Sequence, residues 1–107
     1  MKASSFTLLT LLISGCSTID LSNGGKNVKL IHAEQANSCK LLTKSYLHNS
    51  KGVGLEECKD NAHKKIKNIV VDLGGNAYMV TFEKSKLCAA GGTGVSYNVY
   101  NCLDSEE

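Results

Sequence analysis

Five cysteines, at positions 16, 39, 58, 88 and 102 of a 107-residue chain, constrain this sequence more than any other feature. Paired cysteines persist in oxidising compartments, and they are densest in small exported domains whose cores are too thin to hold alone. An odd number leaves one thiol to explain. The first cysteine accounts for itself, because it closes a segment unlike the rest of the chain. Lys2 is the only charge before it, Phe6 to Ile13 is an apolar run, and the small residues Ser14 and Gly15 lead into Cys16. An apolar run of about eight residues is too short to cross a bilayer as a helix, which takes roughly 20. The segment therefore reads as a secretory signal that is removed after export.

The sequence Ile13-Ser14-Gly15-Cys16 is similar to a lipobox, the bacterial signal in which the cysteine thiol receives a diacylglyceryl group and the chain is cut just before it. The expectation is a signal peptide over 1–15, cleavage between Gly15 and Cys16, and lipidation of Cys16. Each acyl chain adds about 0.8 kcal/mol per buried methylene, and more than one chain makes anchoring stable. Lipoproteins retained at the inner membrane tend to carry Asp after the cysteine, and this chain carries Ser17. The expected location is the outer membrane, facing the periplasm, with the bilayer as first partner through the acyl chains on Cys16. Four cysteines then remain, Cys39, Cys58, Cys88 and Cys102, an even set for disulfides.

Removing the first 15 of 107 residues leaves 92, one small domain. Lys2 is the only charge lost, so 11 lysines face 10 acidic residues. So even a balance gives no electrostatic argument for nucleic acid. Every basic residue is lysine, and the bidentate guanidinium forks that read phosphate and guanine are absent. Nucleic-acid binding is not expected.

Residues 16–26, with Ser22-Asn23-Gly24-Gly25, read as the lipidated cysteine and a flexible tether. Residues 27–103 read as a small domain, and 104–107 as an acidic tail. A short strand is predicted from Val28 to Ala33, with Val28, Leu30 and His32 on one side. A second spans Cys39 to Tyr46, with Cys39, Leu41 and Thr43 opposed to Lys40, Leu42 and Lys44. His48 to Gly54 is a loop. From Leu55 to Leu73 the apolar residues Leu55, Cys58, Ala62, Ile66, Ile69, Val70 and Leu73 recur at spacings of three and four, which predicts an amphipathic helix. Gly74-Gly75 supplies its left-handed stop. Tyr78, Val80 and Phe82 then alternate with Ala77, Met79 and Thr81 as in a largely buried strand. Lys84 to Gly94 is a glycine-rich loop, and Val95, Tyr97 and Val99 lie on a last strand ending at Cys102. The expected fold is α+β, in the order ββαββ, with one amphipathic helix packed on a small, mainly antiparallel, disulfide-stapled sheet.

Four stretches, Lys26-Asn27-Val28-Lys29-Leu30-Ile31, Asn37-Ser38-Cys39-Lys40-Leu41-Leu42, Leu73-Gly74-Gly75-Asn76-Ala77 and Val99-Tyr100-Asn101-Cys102, resemble the small YjeI-type lipoproteins of enterobacteria. More distantly they resemble the RcsF-type outer-membrane lipoproteins that sense envelope stress. The likeness runs from Lys26 to Cys102 and rests on short, mostly structural motifs. The YjeI-type pattern has one cysteine in the early strand and one closing the last. The resemblance thus implies Cys39 with Cys102 and leaves Cys58 with Cys88; four cysteines permit three pairings, and Cys39–Cys88 with Cys58–Cys102 stands as the main alternative. RcsF-type proteins signal through protein contacts, which implies an interaction or stress-sensing module. This chain has no proline and lacks their long proline-rich linker.

Nothing in the sequence marks an enzyme. His32, His48 and His63 fall in a strand, a loop and a helix without ligand spacing, so no metal is expected. No Cys-x-x-Cys is present for thiol exchange. Gly91-Gly92-Thr93-Gly94 lacks the lysine-serine ending of a phosphate loop and precedes a strand, so it reads as a hairpin connection. Glu56, Glu57 and Asp60 suit the positive end of the helix dipole. The expected function is a monomeric, non-enzymatic envelope module with an envelope protein as partner and no cofactor. The alternative is a periplasmic module for a small ligand or metal, for which the glycine-rich loop and the histidines are the hints.

Overall fold

The computed structural model describes residues 19–103. The expected signal peptide 1–15, its cleavage site at Gly15 and Cys16, and the acidic tail 104–107 lie outside the described residues. The chain forms β1 (Lys29–Leu30), α1 (Ala33–Ala36), β2 (Cys39–Asn49), α2 (Gly54–Asp72), β3 (Ala77–Ser85) and β4 (Thr93–Cys102), with 3-10 turns at Gly25–Asn27 and Cys88–Ala90. The architecture is α+β: one main helix on a four-stranded sheet in the order β1-β3-β4-β2. β4 runs antiparallel to both neighbours, and β1 pairs parallel with β3.

Helix α2 forms where Cys58, Ala62, Ile66 and Val70 recur every four residues, and all four are buried. They belong to a core with Tyr78, Val95, Tyr97 and Val99 of the sheet, apart from Cys58, which the second disulfide occupies. The expected stripe is too long at both ends: Leu55 and Leu73 sit on the terminal turns, outside that cluster, and are exposed. Gly74 takes φ +82°. The Gly74 and Gly75 N–H groups donate to the Val71 and Val70 carbonyls at 3.0 and 2.9 Å, which closes the helix as the glycine pair predicts.

Two bulges overturn part of the expected alternation. Leu42 on β2 and Thr81 on β3 are each skipped in the pairing with β4, and one extra residue in a strand exchanges its faces from there on. Leu42 and Leu47 therefore pack on the helix-side core while Leu41 is exposed. Phe82, expected on the face of Tyr78 and Val80, instead opposes Ser96 and is exposed. The first strand is also shorter than expected. His32 starts α1, its N–H donating to Gln35 Oε1 at 2.9 Å, so the extended backbone stops early. Val28 joins the helix-side core, Ile31 packs with Ala77 and Tyr100 on the other face beside Ala36, and Leu30 is left exposed at the sheet edge.

The disulfides are Cys39–Cys102 and Cys58–Cys88, the pairing the resemblance implied. Cys39 and Cys102 oppose each other in the β2–β4 register with Cα atoms 4.3 Å apart, close to the spacing of a non-hydrogen-bonded antiparallel pair. The second bridge is buried and joins α2 to the loop between β3 and β4 at the opposite end of the sheet.

The expected tether is shorter than 16–26. From Ile19 onward it lies along α2: Ile19 N–H donates to Asn61 Oδ1 at 3.3 Å, Ser22 N–H to Asn68 Oδ1 at 2.8 Å, and Asn68 Nδ2 to the Asp20 carbonyl at 2.9 Å. Glycine and serine content suggests freedom, but two helix asparagines supply the partners that remove it.

Candidate functional site

The three histidines are not brought together. His32 precedes α1, His48 meets the Gly91 carbonyl at one end of the sheet, and His63 reaches from α2 to β3. Among the described residues no group of three His, Cys, Asp or Glu side chains is placed to hold a metal ion. Glu57 accepts a hydrogen bond from the Val53 N–H at 2.8 Å, which caps α2 in addition to favouring its dipole.

His63 forms an extended side-chain network between helix and sheet. One ring nitrogen, Nδ1, meets the Tyr78 hydroxyl, and the other, Nε2, lies 2.9 Å from Glu83 Oε1. Lys59 Nζ approaches Glu83 Oε2 at 4.0 Å. The order acid, imidazole, hydroxyl resembles a catalytic relay, but the Tyr78 residue is 1% exposed and no substrate reaches its oxygen. The network fixes the register of α2 on β3. It also gives a pH prediction. Burial first, and the negative charge of Glu83 second, push the Tyr78 phenol from 10.0 up to about 12. The folded chain then holds a proton that the unfolded chain has released. The associated stability is full below pH 10 and is lost as pH rises toward 12, a loss of at most about 3 kcal/mol. Urea melts of Tyr78→Phe are expected to fall less steeply over this range than those of the parent; identical alkaline slopes would contradict the assignment.

The face of the sheet turned away from α2 carries a different chemistry. Tyr46 of β2 and Phe82 of β3 flank Ser96 of β4 in the pairing register, and each is 61% exposed. With His48, Lys84, Lys86 and the glycines 91, 92 and 94 they line an open cleft of about 240 Å³. Both aromatic rings owe their outward position to the bulges at Leu42 and Thr81. The glycines shape the floor. A Cβ on Gly94 would overlap the Tyr46 hydroxyl, and one on Gly92, whose φ is +83°, would overlap the Asn49 carbonyl oxygen. The glycine run noted in the sequence is thus a close-packed wall.

Lys44 lies opposite Asn98 on the same face, so among the described residues three lysines and no acid stand around the two rings: Glu83, the acid nearest in sequence, opposes Val95 and points to α2. The cleft is smaller than ordinary small-ligand pockets, which run roughly 300–1,000 Å³ and enclose most of the ligand. An extended polypeptide laid across the strands suits it better. Sequence reasoning missed Tyr46 and Phe82 because an unbroken two-residue period was assumed. Leucine on both faces of β2, at Leu41 and Leu42, was the available signal of a bulge.

Comparison with known proteins finds no matching family model, no matching curated protein and no matching solved structure.

Proposed function

We propose that this chain is a non-enzymatic lipoprotein of the bacterial outer membrane, acylated at Cys16, whose stapled domain faces the periplasm and binds an acidic, extended segment of another envelope protein. The observation that carries the binding role is the cleft whose described lining holds no acid, with Tyr46 and Phe82 exposed beside Lys84 and Lys86. Aromatic side chains supply contact area at low entropy cost, and they dominate interfaces when a polar rim surrounds them. The lysines select the sign of the partner and make association salt-dependent. Export and anchoring rest on the sequence Phe6 to Cys16, and two disulfides suit an oxidising compartment.

A photo-crosslinking amino acid at position 82 in intact envelopes is expected to yield one discrete adduct whose captured peptide is rich in Asp or Glu. Lys84→Glu with Lys86→Glu should lower its yield roughly tenfold, about 1.4 kcal/mol, through charge reversal at the rim. No adduct under normal or stressed growth, or a yield unmoved by charge reversal, would overturn this reading.

A further inference from the structure

The attachment of Ile19 to α2 fixes which end of the domain faces the lipid. Asn61 accepts the Ile19 N–H through Oδ1, and its Nδ2 donates to the Lys51 carbonyl at 2.9 Å in the link between β2 and α2. Asn61 is itself buried, so this junction is part of the folded body. From there the chain follows α2 toward its C-terminal end, through Asn68 to Gly24 beside Val71. Only three peptide steps separate Ile19 from Cys16. Fully extended, they span about 10 Å.

We infer that the end of the domain formed by the β2–α2 link, the first turn of α2 and the loop between β3 and β4 rests in the headgroup layer of the membrane that holds the anchor. This inference depends on the reading of Cys16 as the lipidation site. The end is one continuous surface, since Gly92 abuts Asn49 and Ser50, Gly52 abuts Glu57 and Cys58, and the Cys58–Cys88 bridge joins the helix to the loop. It exposes Val53 (75%), Leu55 (41%) and Leu87 (53%), with Lys51 and Lys86 beside them. Apolar side chains enter the boundary between headgroups and acyl chains, and lysine stems lie along it with their ammonium groups in water.

Exposed leucines do not by themselves choose this end, because Leu30, Leu41, Leu73 and Leu103 stand at the other. The short reach to Cys16 makes the choice. Asn61, where Ile19 is held, lies seven residues from the start of α2 and eleven from its end, so the near end is about 10 Å away, within reach of three residues, and the far end about 16 Å, beyond it. Nor is charge the main driver. Glu56 and Asp60 are exposed near Lys51, while Glu57 is engaged with Val53, so the local balance is mixed. The contact is weak and is sustained by the tether, which holds lipid at high effective concentration. A domain so held acts on partners in or against its own leaflet.

The chain contains no tryptophan, so a single introduced indole reports its own depth. Val53→Trp, Leu87→Trp and the far-end control Leu41→Trp are made in the full lipidated chain and reconstituted in vesicles carrying brominated phospholipid. Native pairing of Cys39 with Cys102 and Cys58 with Cys88 in non-reducing peptide maps, with a cooperative thermal melt, confirms that each variant is folded. Val53→Trp and Leu87→Trp are expected to be quenched at least roughly threefold more than Leu41→Trp, given a half-bilayer of about 15 Å against the separation of the ends. Equal quenching in vesicle-bound protein overturns the inference and leaves the anchor standing. Folded protein without acyl chains on Cys16 that does not bind vesicles overturns both. A blue shift that needs high protein concentration and no lipid assigns this end to a second copy, and overturns the inference as well.

Discussion

Reduction of both disulfides is expected to unfold the domain. On a loop-entropy estimate, a bridge across 63 residues contributes about 4.3 kcal/mol and one across 30 about 3.6 kcal/mol. Their sum is comparable with the whole stability of a domain this size, about 0.05–0.15 kcal/mol per residue. The two bridges hold opposite ends. Cys39–Cys102 closes the sheet where β2 begins and β4 ends, and Cys58–Cys88 fastens the helix to the loop that forms the cleft wall. Cys58→Ala with Cys88→Ala should therefore loosen the cleft and the lipid-facing end before the sheet. Thermal melts of oxidised, reduced and doubly substituted protein measure this, and a reduced protein that melts within a few degrees of the oxidised one would contradict it.

Asn49→Ala is expected to cost about 3 kcal/mol, more than most single substitutions in a domain of this size. Asn49 is almost fully buried at the end of β2, where its Nδ2 donates to the Cys58 carbonyl at 2.9 Å and the Lys51 carbonyl at 3.0 Å, and its Oδ1 accepts from the Lys51 N–H at 3.2 Å. One amide thus satisfies the turn out of β2 and ties that turn to the start of α2. Alanine leaves Cys58 O without this partner beside a disulfide. Chemical denaturation should show a lower midpoint with the slope unchanged; a loss below about 1 kcal/mol would mean that water replaces the amide without penalty.

The helix was legible because Cys58, Ala62, Ile66 and Val70 keep one period over more than three turns and Gly74-Gly75 closes the segment. The last strand was legible because Val95, Tyr97 and Val99 alternate with polar residues, while the order of the strands in the sheet was not. The outer face was not. A bulge shifts no residue in the sequence, and only the pairing partner on β4 tells that Leu42 and Thr81 are skipped. Asn61 and Asn68 were also opaque, since a polar residue on a helix is ordinarily solvated, and their partners lie more than 40 positions away at Ile19 and Ser22. Sequence patterns report local periodicity, while these features are set by contacts between distant segments.

The central claim is that one cysteine is an anchor and the other four are staples. Intact mass and non-reducing peptide mapping of protein extracted from bacterial outer membranes test it most directly. The account predicts a mature chain that begins at an acylated Cys16, with the cross-linked peptides Cys39–Cys102 and Cys58–Cys88 and no free thiol. A chain that still begins at Met1, an unmodified Cys16, or a bridge that includes Cys16 would contradict it.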